Sequence, residues 1–140
     1  MKKIVVILGP TAVGKSEIAI NLAKKLNGEI ISADSVQIFK GFDIGSAKIT
    51  EEEKDGVVHH CIDIKEPNDE FSVFDFIELT KTKIDSILAK GKLPIICGGT
   101  GLYVRALLGG YNFGGAGKVS EFRENLEKFD TQTLYQMLTK

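Results

Sequence analysis

The sequence predicts an α/β fold, a P-loop NTPase-like three-layer arrangement with a parallel sheet, followed by the start of a helical insertion subdomain. Three observations lead there. A continuous apolar run, Ile4-Val5-Val6-Ile7-Leu8, has the β-branched content of a strand buried on both faces. It feeds directly into Gly9-Pro10-Thr11-Ala12-Val13-Gly14-Lys15-Ser16, which matches G-x-x-x-x-G-K-[ST], the loop that cradles phosphates. An amphipathic stretch and a second apolar run, Glu29-Ile30-Ile31-Ser32-Ala33, then complete a βαβ unit, whose strands are parallel and whose crossover is right-handed.

The elements follow in order. From Lys15 the pattern is helical, with Ile18, Ala19, Leu22, Ala23 and Leu26 on one face and Asn27-Gly28 as the stop. Residues 34 to 50 are polar and punctuated by Gly41 and Gly45, which reads as a loop with room for a short helix. Glu51-Glu52-Glu53-Lys54 reads as a solvated helical turn, His59 to Ile64 as a short strand, and Pro67-Asn68-Asp69 as a turn. Ser72 is placed to cap a helix, with Asp75 three residues on; Val73, Phe76, Ile77, Thr80, Ile84, Ile87 and Leu88 keep helical spacing as far as Gly91. Pro94-Ile95-Ile96-Cys97 is a third buried strand, and Leu102 to Leu108 a short helix. The domain boundary falls near residue 111, with an α/β core over 1–111 and a linker and partial helical subdomain over 112–140. The Gly-rich stretch 112–117 precedes amphipathic pieces near 121–129 and 133–138. A sheet of three or four strands is thin for an architecture whose usual sheet is nearer five, so the chain is expected to be the front part of something larger.

Bulk properties exclude several classes. At 140 residues, with 43% hydrophobic and 26% charged residues, the chain suits one soluble globular domain. A net charge of −1 gives no global basic field, which weighs only weakly against RNA because a local patch can bind it. Cys61 and Cys97 are far apart and form no C-x-x-C, so neither a disulfide framework nor a metal site is indicated. Met1-Lys2-Lys3 opens like a signal peptide, but the apolar run stops at Gly9. No segment reaches membrane-spanning length, and a cytoplasmic location is expected.

The chemistry collects where ligands bind in such sheets, at the carboxyl ends of the strands. In the phosphate loop, Gly9 and Gly14 are expected to allow angles and approaches that a Cβ would forbid. The loop amides and the helix N-terminus form a nest for phosphate oxygens. Lys15 adds a mobile positive charge, and the Ser16 hydroxyl can ligate Mg²⁺. Asp34-Ser35-Val36-Gln37 follows the second strand. Asp34 there is a candidate general base or water-mediated Mg²⁺ holder, although Asp also caps turns. Gln37 can read a base edge or serve as an ordinary surface residue. Thr100, set among Gly98, Gly99 and Gly101, can present a hydroxyl and backbone amides in a narrow channel, or simply mark a tight turn. Arg105 and Lys48 are each either phosphate partners or solvated charges. His59 and His60 are adjacent in a strand and point to opposite faces, which argues against a shared metal. The third strand ends in Gly98 rather than the Asp that holds Mg²⁺ in P-loop ATPases, so a motor or GTPase is not indicated. A small-molecule kinase or another phosphate-handling transferase fits better.

An ordered set of motifs narrows this. Residues 9–16, Ser32-Ala33-Asp34-Ser35-Val36-Gln37-Ile38-Phe39, Asp43-Ile44-Gly45-Ser46-Ala47-Lys48, His59-His60-Cys61-Ile62-Asp63 and Gly98-Gly99-Thr100-Gly101-Leu102-Tyr103 together resemble the tRNA dimethylallyltransferase family, also called tRNA isopentenyltransferases (MiaA in bacteria). The resemblance covers residues 3 to about 111 and runs more loosely to the end. It implies transfer of a dimethylallyl group from dimethylallyl diphosphate to N6 of adenosine 37 in the tRNA anticodon loop. The P-loop, Gly9 to Ser16, would then hold the diphosphate of the prenyl donor, with Thr11, Lys15 and Ser16 on the diphosphate or its Mg²⁺. By the same resemblance Asp34 is the general base and Thr100 sits where adenine meets donor; Asp34, Ser35, Val36, Gln37, Thr100 and Arg123 contact tRNA. A monomer without membrane attachment is implied. Phe39 stands where the family usually has Tyr, and Ser46 where it usually has Thr. Family members are about twice this length, and their second half carries an Arg-containing segment and much of the tRNA grip, so weak turnover is expected of these 140 residues. Competing readings are a nucleotide or metabolite kinase, a prenyltransferase acting on free adenine nucleotides, and a phosphate-binding protein without catalysis.

Overall fold

The computed structural model describes residues 3–111 and 120–139, so the Gly-rich segment read at 112–117 lies outside the described residues. In chain order the elements are β1 (Val5–Leu8), α1 (Lys15–Leu26), β2 (Gly28–Ser32), α2 (Glu51–Lys54), β3 (His59–His60), α3 (Val73–Ala89), β4 (Leu93–Gly98), α4 (Gly101–Leu108), α5 (Ser120–Leu126) and α6 (Thr131–Leu138). The four strands form one sheet in the order β1-β4-β2-β3, and every pair is parallel.

The wholly apolar β1, expected to be buried on both faces, stands at one end of the strand order, is half-buried and leaves Leu8 52% exposed. The central pair β2 and β4 is sealed on both faces even though β2 carries Glu29 and Ser32. On one face α1 lays Ala19, Ile20 and Ala23 against Ile30, Ile95 and Cys97. On the other, α3 and α4 bring Phe76, Ile87, Tyr103 and Val104 onto Ile31 and Ile96. The Tyr103 ring stacks on Phe76 with centroids 4.3 Å apart. One helix face is corrected. Ile18 and Leu26 are 57% and 50% exposed, whereas Ile20 is buried. Ala19, Leu22 and Ala23 of the expected stripe do face the sheet, and Ile20 joins them in place of Ile18 and Leu26.

Caps fall where the sequence puts them. Ser72 and Asp75 form a reciprocal capping box at the start of α3, and Thr50 with Glu53 does the same for α2. The short strand read over 59–64 is regular only at His59–His60. After it Cys61 and Asp63 take left-handed backbone angles, with φ of 63° and 53°, which ends the extended run.

A charged cluster stitches the amino-terminal side of the sheet. Glu29 is 1% exposed. It accepts hydrogen bonds from Lys92 Nζ at 2.9 Å and Lys90 Nζ at 3.1 Å, and its Oε2 lies 2.8 Å from His60 Nε2. Burial pushes the Glu29 carboxyl up, but hydrogen bonds from Lys92, His60 and Lys90 outweigh it and hold the group at about 2. A depressed carboxyl contributes stability that is complete above its ordinary range. That stability is lost as pH falls from about 4.5 toward about 2, and amounts to about 3 kcal/mol. Glu29→Gln is therefore expected to cost about 2 kcal/mol at neutral pH, with the gap to wild type narrowing by about as much near pH 3. Thermal melts at both pH values check this, and a gap independent of pH would contradict it.

Candidate active site

A cleft of about 200 Å³ opens at the carboxyl ends of β2 and β4, between the phosphate loop and the segment that follows β2. One part of its wall is polar: Thr11, Lys15, Ser16, Ser32, Asp34 and Gln37. The other is largely apolar, built from Ala19, Ile30, Ala47, Ile49 and Ile62, with His59 among them. The cleft can therefore seat an anion beside a small hydrocarbon group.

The phosphate loop takes its shape from two left-handed residues, Ala12 at φ 63° and Gly14 at φ 85°. At Gly9 no protein atom demands the missing side chain, since a Cβ there would meet the Val13 and Lys15 side chains at 3.6 Å or more, an ordinary contact. Gly14 is the N-cap of α1, and the amide of Ile18 makes the first helical bond back to it at 3.2 Å. The amides of Lys15, Ser16 and Glu17 precede that bond, so they are left for an anion at the positive end of the helix. Lys15 folds across its own loop and donates to the Pro10 carbonyl. The Ser16 side chain sits exposed in the first turn.

Gly98 is the glycine that close approach does require. A Cβ on it would lie 2.2 Å from the Ala33 carbonyl oxygen. Here the chain leaving β2 crosses against β4: Ala33 N donates to Cys97 O at 2.8 Å, and Thr100 N donates to Ala33 O at 3.2 Å. This contact delivers Asp34 into the cleft. Asp34 Oδ1 accepts from the amides of Val36 at 2.8 Å and Gln37 at 3.2 Å. Asp34 thus caps its own turn and lines the cleft as well; both bonds use Oδ1, so Oδ2 keeps its lone pairs for a proton.

Other residues fall differently. Gln37 lines the cleft, but its side-chain amide donates to Ser46 O at 3.1 Å, so it holds a wall. Thr100 is not among the residues that form the wall, and its hydroxyl accepts from Ser35 N at 3.1 Å. Ser35 and Val36 are exposed beside it, open to a large ligand. Lys48 is neither a free phosphate partner nor a solvated charge; its side chain is 5% exposed and bound by Asp43 and Asp63. Arg105 is exposed in the last turn of α4, and Arg123 is exposed on α5. His59 and His60 do diverge: His59 reaches the cleft, while His60 joins Glu29. Burial pushes the His59 imidazole down, against a hydrogen bond to the Val57 carbonyl that pulls it up. Sequence reasoning missed the wall of Ser46, Ala47, Ile49 and Ile62, because those residues meet only through the loop's tertiary path.

Residues 37–140 match the model of the family described as IPP transferase. The chain belongs to the IPP transferase family. Within it, the chain is 59% identical over 126 residues to a tRNA dimethylallyltransferase of Exiguobacterium sibiricum, covering 90% of the chain and 40% of the relative. It is 50% identical to that of Anoxybacillus flavithermus, over 98% of the chain and 44% of the relative. Among solved structures, a full-length tRNA isopentenylpyrophosphate transferase from Bacillus halodurans superposes with a TM-score of 0.80 at 48% identity, covering 99% of the chain and 47% of the other. A eukaryotic dimethylallyltransferase solved acting on tRNA gives 0.87 at 33% identity, over 99% of the chain and 35% of the other. The chain thus spans less than half the length of the relatives it matches. Among the described residues no helix is long and apolar enough to cross a membrane.

Among the described residues no group of three His, Cys, Asp or Glu side chains is placed to hold a metal. The Ser16 hydroxyl lines the cleft beside Lys15, next to where the loop amides would hold phosphate oxygens. This sparse oxygen set fits Mg²⁺, which keeps several waters and takes its remaining ligands from phosphate oxygens.

Proposed function

We propose that this chain carries the donor site and the base of a tRNA prenyltransferase, moving a dimethylallyl group from dimethylallyl diphosphate to N6 of an adenosine in the anticodon loop. The observation that carries this reading is the joined cleft, in which the phosphate loop, an apolar wall and the Asp34 carboxylate lie within one small volume. The loop amides and Lys15 would hold the diphosphate, and the five-carbon tail would lie along Ile30, Ala47, Ile49 and Ile62. Mg²⁺ held through Ser16 would offset charge on the departing diphosphate. Asp34 would accept the N6 proton as the nitrogen bonds to the allylic carbon and the carbon–oxygen bond to diphosphate breaks. Ser35 and Val36, with Thr100, would face the RNA.

Asp34→Asn tests the base. It keeps an acceptor for the turn amides but has no carboxylate to take a proton. Transfer of labelled prenyl group to an anticodon stem-loop should fall by about 100-fold or more, with donor affinity changed less than about two-fold. Transfer at the wild-type rate would refute the assignment.

A further inference from the structure

Of residues 42–49, which supply Ser46, Ala47 and Ile49 to the cleft wall, Ile49 packs against the core beneath α1 and Phe42 lies edge-on to Phe39; the rest has little apolar anchorage. Ile44 is 98% exposed and Phe42 is 47% exposed. Ala47 takes φ 47°, a left-handed angle that a residue with a Cβ adopts only where its surroundings enforce it. Polar ties hold that remainder: Gln37 Nε2 donates to Ser46 O, the Ser46 hydroxyl donates to the Phe42 carbonyl, and Lys48 makes more of these ties than any other side chain. Its Nζ donates to the Phe39 carbonyl at 2.8 Å, to Asp43 Oδ1 at 2.8 Å and to Asp63 Oδ1. These use all three ammonium hydrogens. They join the entry of the loop, its middle and the separate segment after β3. Burial pushes the Lys48 ammonium down, but the hydrogen bonds it donates to Asp43 and Asp63, and the charge of those carboxylates, outweigh burial and raise it, so the residue stays charged. Asp43 and Asp63 remain 64% and 46% exposed, so the desolvation cost falls on the lysine. Apolar replacements of buried ion pairs are often neutral for stability, which leaves position as the gain.

We infer that Lys48 is a positioning residue that never touches the ligand: it fixes Ser46, Ala47 and Ile49 where they meet the hydrocarbon tail of a prenyl diphosphate, and so sets the preference for prenylated over bare diphosphate. This rests on the donor-site reading above. The phosphate loop is built from different residues, so the two parts of the ligand should respond separately.

The test is titration of the wild-type chain, Lys48→Met and Asp63→Asn with inorganic diphosphate and with dimethylallyl diphosphate, both with Mg²⁺. Wild type should prefer the prenylated ligand by about 10-fold or more. Lys48→Met should bind inorganic diphosphate within about two-fold of wild type while its preference falls below about three-fold; Asp63→Asn should lie between. Hydrogen exchange at the Ala47 and Lys48 amides should quicken in Lys48→Met, with α1 unchanged. A folded Lys48→Met that keeps the preference, or loses both ligands in parallel, overturns the inference. If Lys48→Met does not fold, Asp63→Asn decides by the same criterion: a preference equal to wild type overturns it. A wild-type chain that binds the two ligands equally overturns the donor-site reading itself, which separates the two failures.

Discussion

Gly98→Ala is expected to cost about 3 kcal/mol or more and to remove ligand binding along with it. The added Cβ would lie 2.2 Å from Ala33 O and 2.5 Å from Ala33 C, backbone atoms that no rotamer change can move. Relief requires the end of β2 to pull away from β4. That breaks the bonds from Ala33 N to Cys97 O and from Thr100 N to Ala33 O. Asp34 is the next residue, so the displacement reaches the cleft directly. A fall in melting temperature of about 10 °C is expected for a domain of this size. Gly99→Ala is the comparison, because its Cβ would meet only Gly9 O at 3.6 Å. It should stay within about 1 kcal/mol of wild type. Equal stability of the two variants would refute the close-approach assignment.

Lys15→Ala is expected to weaken diphosphate binding by about 100-fold, about 2.7 kcal/mol, without unfolding the chain. Among the described residues the side chain is hydrogen-bonded to the Pro10 carbonyl of its own loop and belongs to neither buried cluster. Its removal should therefore shift the melting temperature by no more than about 2 °C. In the cleft it is the cation next to the loop amides, so a diphosphate loses its main charge-assisted contact. Lys15→Arg should recover little, because a planar fork does not replace a point charge on a flexible stem. Calorimetry on the three forms checks this. Unchanged affinity in Lys15→Ala would mean that the anion sits elsewhere.

Local signals carried much of this architecture. The βαβ start, the loop from Gly9 to Gly14 between strand and helix, and the Ser72 cap are written in neighbouring residues, and each appears where its pattern puts it. Features that depend on distant partners were not legible. Glu29 looked like one residue of an apolar strand, yet its partners Lys90 and Lys92 lie 61 and 63 positions away. Gly98 read as part of a Gly-rich turn, while the reason for its missing side chain is the carbonyl of Ala33. Lys48 is polar in a polar loop, and nothing nearby in sequence reports that Asp63 will bury it. The same holds for α1, where periodicity found the helix but chose Ile18 over Ile20 for the core. At the cleft, Asp34 is among the lining residues, as its place after β2 suggests, whereas Thr100 is not among them and its hydroxyl accepts from Ser35 N.

Competition for the phosphate loop tests the donor reading most directly. The wild-type chain is titrated in parallel with dimethylallyl diphosphate and with ATP, each with Mg²⁺. A cleft of about 200 Å³ with an apolar wall beside the loop predicts that the prenyl donor binds about 10-fold more tightly. ATP binding as tightly or more tightly would contradict it and make the chain a nucleotide-using P-loop protein.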